Sequence, residues 1–202
     1  MKTSAMARLI RLLALAVAIT AFAGVSQGQS VQRSTPPNLN WQWMDEVTFD
    51  FKPRQTGTES ERAAAAAIWA KELAEAVQPK SGRRDPSFVL IASTMVRGAT
   101  YVFSIYDRAG YGCEPPPNGS AGADHMYSRC PLRVTMLGGQ GQSSSRDFAG
   151  YCALNGASAE NPRATNHTEF AFDPRSSIAY FRVIQHGRVV PECVRSVRIE
   201  TR

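Results

Sequence analysis

The stretch FVLIASTMVRGATYVFSIY, residues 88–106, decides which fold we expect. It is rich in β-branched and aromatic residues, and Arg97-Gly98 in its middle fits a two-residue hairpin turn. Pairing the two arms around that turn sets Leu90 opposite Ile105. Both faces of the resulting hairpin are apolar. The stretch therefore predicts a hairpin at the centre of a sheet, with a helix packed on one side.

The helix that would cover one face is predicted upstream, from Thr58 to about Val77. Thr58 and Glu61 have the spacing of a capping box, which marks the start of a helix. Four apolar residues recur at intervals of four and would form one stripe facing the sheet. They are Ala65, Trp69, Leu73 and Val77.

Most of the remaining chain has the alternation and the turn residues of β-strands. A first strand is predicted over Val47–Phe51, before the helix. The overall prediction is an α+β fold: an antiparallel sheet of six or seven strands with one main helix packed on one face, and two disulfides. The further strands are predicted over Leu132–Leu137, Arg146–Leu154, Thr168–Asp173, Ile178–His186 and Val189–Ile199.

The last three predicted strands can be aligned by their side chains. Pairing the first two across their turn sets Phe170 opposite Phe181 on one face, and Glu169 opposite Arg182 on the other. One extra residue at a bulge in the last strand would then set Cys193 opposite Phe181, facing the core. The alignment predicts a half-buried sheet with an ion pair on its outer face.

The first 28 residues have the three parts of a secretory signal peptide. Lys2, Arg8 and Arg11 supply positive charge, and an apolar run follows over Leu12–Val25. Small residues then offer two cleavage sites, at Ala21-Phe22-Ala23 and at Ser26-Gln27-Gly28. The apolar run is shorter than the roughly 20 residues of a spanning helix, so no membrane anchor is expected after cleavage. The predicted location is the periplasm or the exterior of the cell.

Removal of the signal changes the domain organisation and the charge. We predict a signal peptide over 1–28, a flexible leader over 29–45 and a single α+β domain over 46–202. The signal carries three basic residues and no acidic ones, so the rest of the chain holds 20 basic and 17 acidic residues. A net charge of +3 without a lysine cluster gives no basis for nucleic-acid binding.

Four cysteines in an exported chain are typical of two disulfides. Four cysteines allow three pairings, and the sequence favours Cys113–Cys130 and Cys152–Cys193. The first pair brackets a loop rich in proline and glycine, while the second pair is in phase with inward-facing residues. No C-x-x-C or C-x-x-H spacing is present, so a structural zinc site is not expected. The prediction includes no metal and no cofactor.

Histidine and carboxylate residues supply the candidates for catalysis. His167 and Glu169 are two residues apart on one predicted strand, a spacing that could hold a metal or an acid–base pair. Asp124 and His125 could join them from a loop. A simpler interpretation pairs Glu169 with Arg182 and leaves His167 to close a loop. The catalytic hypothesis is a periplasmic hydrolase with a His/Glu surface site.

The loop from Tyr111 to Arg129 is the main candidate for binding. Long loops on a rigid sheet often carry recognition, and a disulfide at the base lowers the entropy lost on binding. The sequence favours a non-catalytic, inhibitor-like or immunity-like protein that recognises a protein or a cell-envelope component. The candidate contact residues are Tyr111, Glu114, His125, Tyr127 and Arg129.

Overall fold

The structure is a computed structural model, and it describes most of the chain after the predicted signal peptide. The signal peptide and the first part of the predicted leader lie outside the described residues. The described ranges are 38–49, 56–77, 81–82, 86–108, 112–114, 127–138, 143–154 and 162–199.

Ten strands and two short helices follow one another along these ranges. The helices are α1 (Glu59–Ile68) and α2 (Ala70–Glu75). The strands are β1 (Gln42–Trp43), β2 (Asp45–Phe49), β3 (Ser87–Val96), β4 (Ala99–Asp107), β5 (Tyr127–Leu137), β6 (Ser143–Leu154), β7 (His167–Asp173), β8 (Ile178–Gln185), β9 (Arg188–Val189) and β10 (Arg195–Arg198).

The predicted hairpin lies at the centre of an antiparallel five-stranded sheet, in the order β2-β3-β4-β5-β6. Leu90 pairs with Ile105 in β3 and β4, which confirms the predicted register. Arg97 and Gly98 form the turn with positive φ angles of 50° and 80°. Positive φ at both central residues is typical of a type I′ turn, whose twist matches that of the flanking strands.

A second antiparallel sheet has the order β1-β7-β8-β10, with β9 paired to β8. The predicted α+β fold, with one sheet of six or seven strands and one main helix, is therefore wrong. The described residues form two sheets of five strands each and two short helices. The hairpin explains the difference, because its two apolar faces both need cover. The helices cover one face, and the second sheet covers the other.

The main core lies between the two sheets. Phe103 of β4 is fully buried there, and its ring centroid lies 4.9 Å from that of Phe170 and 5.9 Å from that of Phe181. Phe170 and Phe181 are themselves opposite each other in β7 and β8, as the register predicts. These three aromatic rings join the sheets by close packing of large apolar side chains.

The helices pack on the other face of the first sheet. Thr58 and Glu61 form the predicted capping box at the start of α1. The single long helix predicted to Val77 is interrupted at Trp69, where the backbone leaves helical geometry (φ −110°, ψ 25°). The buried Trp69 indole donates a 3.0 Å hydrogen bond to Ser104 Oγ in β4. The interruption therefore coincides with the residue that fixes the helices to the sheet.

The last predicted strand is divided by a 3₁₀ turn, Pro191–Cys193. Proline suits the first position of such a turn because its missing N–H needs no partner there. The turn takes Cys193 out of the strand, and Arg195 rather than Cys193 pairs with Phe181. The prediction of Cys193 opposite Phe181 is wrong for this reason, although Cys193 is buried.

Two disulfides are present, Cys113–Cys130 and Cys152–Cys193, and these are the pairings favoured by the sequence. The second bond links β6 of one sheet to the turn before β10 of the other. Disulfides indicate an oxidising compartment outside the cytoplasm, and each typically adds about 2–4 kcal/mol of stability. None of the described helices has the length and apolar character needed to cross a membrane.

The inter-sheet core gives the first testable prediction. Phe103→Ala should lower the free energy of unfolding by about 3–5 kcal/mol, because it leaves a cavity between Phe170 and Phe181. Met95→Ala is the control: Met95 is 73% exposed, so its loss should change stability by less than about 0.5 kcal/mol. Urea denaturation measures both. Equal effects from the two variants would contradict a core centred on Phe103.

Candidate functional site

The predicted pair of His167 and Glu169 lies on the outer face of the second sheet. The alternation of β7 points Phe170 into the core and the two polar residues away from it. Both are nevertheless only 9% exposed. The sequence therefore predicts their common face correctly, but not that this part of the face is covered.

Two tryptophans provide the cover. Strand β1 pairs with β7 and sets Trp43 opposite Glu169. The Trp43 ring lies 4.5 Å from the His167 ring, and the Trp41 ring lies 4.0 Å from the Arg182 guanidinium carbon. Both tryptophans belong to the segment predicted to be a flexible leader. Their spacing of two residues, which puts both rings on one side of an extended chain, is the sequence signal for this arrangement.

The hydrogen bonds of Glu169 use both of its carboxylate oxygens. Arg182 Nε donates to Oε2, and His167 Nε2 lies 3.2 Å from Oε1. The predicted pairing of Glu169 with Arg182 is thus confirmed. One oxygen of the Glu169 carboxylate is bound by the Arg182 guanidinium and the other by the His167 imidazole. Each oxygen therefore has a partner within the protein.

His167 is held on both sides of its ring. Its Nδ1 lies 2.8 Å from the backbone carbonyl oxygen of Arg163. Because a carbonyl can only accept, Nδ1 donates in that contact, and the contact with Glu169 then needs a proton on Nε2 or on the carboxylate. The ring directs no lone pair toward solvent. In this arrangement His167 is not placed as a general base.

Arg163 connects this cluster to the start of the first sheet. It donates a 2.9 Å hydrogen bond to the Met44 carbonyl oxygen and lies 3.9 Å from an Asp45 carboxylate oxygen. Its guanidinium carbon also lies 5.4 Å from the centre of the Trp43 ring. These contacts of Trp43, Arg163 and His167 therefore hold Met44, which joins β1 to β2, beside the start of β7.

The remaining predicted catalytic residues, Asp124 and His125, lie outside the described residues. Their association with Glu169 stays a prediction. What the structure brings to Glu169 is Arg182 and His167.

The base of the predicted binding loop is described at Glu114 and at Tyr127 to Arg129. Glu114 and Arg129 exchange two backbone hydrogen bonds, of 2.7 and 2.8 Å, beside the Cys113–Cys130 bond. Tyr127 is buried, and its hydroxyl donates a 2.8 Å hydrogen bond to Glu192. Burial, together with this bond, raises the pKa of Tyr127 to about 12. The Tyr127 side chain therefore stabilises the fold.

The other predicted contact residues, Tyr111 and His125, lie outside the described residues, as does the loop from 115 to 126. Strand β5 begins at Tyr127 instead of the predicted Leu132, which brings Tyr127 and Arg129 into the first sheet. Arg129 pairs there with Cys152. The loop therefore has a base built into regular β-structure.

A buried carboxylate lies next to the first disulfide. Asp107 has an oxygen within 4.8 Å of the sulfur atoms of Cys113 and Cys130, a grouping that could suggest a metal site. Because the two sulfurs are bonded to each other, they are not the thiolates that a metal requires. Burial raises the pKa of Asp107, against a hydrogen bond from Ser128 that lowers it.

Arg133 forms a second charged cluster that the sequence does not indicate. It pairs with Asp147 at 2.7 Å and with Glu72 at 2.8 Å, and donates to the Ile68 carbonyl oxygen. Its guanidinium carbon lies 4.1 Å from the centre of the Trp69 ring. These ion pairs raise the pKa of Arg133 above its ordinary value. The cluster ties the helices to β5 and β6.

Comparison with known proteins offers no guide to these groups. No protein family matches the chain, and it is significantly similar to no curated protein and no solved structure. We therefore infer its function from the contacts of its own residues.

The ion pair under the tryptophans gives the second prediction. Glu169→Gln should lower the free energy of unfolding by about 1–3 kcal/mol, because Arg182 would keep its charge in a partly buried place without a counter-ion. The control is Glu75→Gln, which breaks the exposed pair with Lys71 and should change stability by less than about 0.5 kcal/mol. Urea denaturation measures both. An unchanged stability of Glu169→Gln would show that the cluster does not hold the fold.

Asp107 gives the third prediction. Because its pKa is raised on folding, the unfolded chain releases this proton at lower pH, and stability falls as pH rises through the folded pKa. Asp107→Asn, which stays neutral, should therefore be more stable than the parent protein at pH 7. The difference should vanish below about pH 4. Urea denaturation at pH 3 and pH 7 measures this.

Asp173 is the matched control for Asp107. Hydrogen bonds from Ser176 and from the Arg175 backbone lower the pKa of this exposed carboxylate. Its contribution to stability is therefore present at neutral pH and lost as pH falls. Asp173→Asn should lower stability at pH 7, the opposite sign. If Asp107→Asn lowers stability at pH 7, the ionised Asp107 carboxylate does not destabilise the folded protein, and the prediction is contradicted.

Proposed function

We propose that this protein is an exported binding protein without catalytic chemistry, acting in the periplasm or outside the cell. Its partner would be another protein or a component of the cell envelope. The two disulfides fit such a compartment. The observation that carries the proposal is the doubly fixed base of the segment from 111 to 129.

That base is held by covalent and hydrogen-bonded contacts together. The Cys113–Cys130 bond joins its two sides, and the adjacent exchange of hydrogen bonds between Glu114 and Arg129 extends the antiparallel pairing. A segment that is held in this way has fewer conformations to lose when it binds. This is the feature by which inhibitor-like proteins gain affinity from a surface loop.

The contacts of the predicted catalytic pair also favour binding over hydrolysis. Glu169 is engaged by Arg182 and His167, and His167 is engaged by the Arg163 carbonyl oxygen. A hydrolase needs a base that can reach the substrate or a water molecule with a free lone pair. The arrangement of these residues supports a role in fixing β1 to the second sheet.

Replacement of residues 115–126 by a glycine–serine linker of equal length tests the proposal. With Cys113 and Cys130 kept, the melting temperature should stay within about 2–4 °C of the parent value. The amount of partner recovered from an envelope extract of the source organism, after cross-linking and mass spectrometry, should fall by at least about tenfold, equivalent to about 1.4 kcal/mol.

The control changes two residues between β5 and β6, by Gln140→Ser together with Gln142→Ser, and should leave the recovery of the partner unchanged. Equal recovery by the linker variant and the parent protein would overturn the proposed binding segment. The hydrolase alternative would instead be supported if the protein hydrolyses a substrate and His167→Ala abolishes that activity without changing the melting temperature.

A further inference from the structure

The strands of the first sheet are longer than those of the second, so part of the inner face of the first sheet extends past the second sheet. β5 and β6 have 11 and 12 residues, whereas β10 has only four. β10 lies opposite the end of β5 and the start of β6. An open cavity of about 410 Å³ lies at this end of the core. It is bounded by the turn between β3 and β4 and by the end of β10.

The wall of this cavity is apolar. Val134 and Met136 of β5 and Phe148 of β6 line it and are half-buried, and each packs at the edge of the main core. Val197 and Ile199 line it from the other sheet. The cavity is therefore a continuation of the core that opens to solvent, a shape that suits an apolar chain or ring.

Among the described residues that line this cavity, the charged groups are all basic. Arg97, Arg146 and Arg198 line it and are exposed, and no acidic residue is among the described residues that line it. The guanidinium carbon of Arg146 lies 4.9 Å from the centre of the Phe148 ring, so one cation sits where the apolar wall begins. Ser144 adds a hydroxyl. An anionic group beside an apolar body would complement this lining.

We propose that the cleft, defined by these wall residues and the three arginines, binds a free single-chain amphiphile with an anionic head group, of the fatty-acid class. The acyl chain lies against Val134, Met136 and Phe148, and the carboxylate lies among the arginines. A volume of 410 Å³ is near the lower end of the range for small-molecule sites, which favours one chain over a two-chain lipid. This inference goes beyond the proposed function and uses a different surface.

Dodecanoate is the probe that tests the cleft, and dodecyltrimethylammonium is its cationic match. Isothermal titration of the full protein, with both amphiphiles kept below micelle formation, should show saturable binding of one dodecanoate and at least about tenfold weaker binding of the cation. Equal binding of the two amphiphiles, or no saturable binding of dodecanoate, would overturn the proposal.

Two pairs of variants assign the binding to this place. Arg146→Glu should weaken dodecanoate binding at least about tenfold, whereas Arg188→Glu, exposed on β9 and outside the lining, should not. Met136→Asp should weaken it similarly, whereas Met95→Asp, outside the lining, should not. Equal effects within either pair would overturn the assignment.

Two other occupants are distinguished by the same proteins. Binding to vesicles of phosphatidylglycerol without binding to dodecanoate would make the site a membrane contact and overturn the proposal. If the protein forms dimers that Met136→Asp dissociates, and binds no dodecanoate, the cleft is an interface between two copies and the proposal is overturned. The linker variant of residues 115–126 should keep full dodecanoate binding, so failure of the proposed function and failure of this inference are separate results.

Discussion

The structure depends on the need to cover both faces of the β3–β4 hairpin. Val89 and Phe103 lie on opposite faces of this hairpin, and both are fully buried. Each face must be shielded from water, because exposing so many large apolar side chains would cost more free energy than the rest of the fold supplies. The helices cover the face of Val89, and the second sheet covers the face of Phe103. The helix–sheet–sheet arrangement is the consequence of one apolar hairpin.

The strand pairings that the sequence predicted correctly are those between strands that follow each other directly in the chain. The Leu90–Ile105 and Phe170–Phe181 pairs follow from a turn and an alternating pattern, both of which are local. The division into two sheets is not local. Phe170 meets Phe103 through packing between sheets, and the pattern around Phe170 is the same whichever surface it faces. The number of sheets could not be predicted for that reason.

The same distinction applies to the candidate site. The pairing of Glu169 with Arg182 was predictable because a short turn joins β7 and β8. The cover by Trp43 was not, since β1 comes more than a hundred residues earlier and adds to the edge of β7. Without β1, His167 and Glu169 would form an open pair on a sheet surface, the arrangement that suggests catalysis. With β1 in place they are enclosed, and their hydrogen bonds secure the edge of the sheet.

The two ends of the sandwich differ in how their sheets are connected. Toward the end of β6, the Cys152–Cys193 bond joins the sheets, and the Cys113–Cys130 bond ties the chain after β4 to β5. Toward the start of β6, the described residues contain no covalent link, and the sheets separate around an apolar lining with three arginines. Because stability is secured by the disulfides and by the aromatic core around Phe103, the open end is free to carry side chains chosen for a ligand. A cleft that exposes apolar surface costs stability, and such a cost is tolerated where the exposed surface binds something.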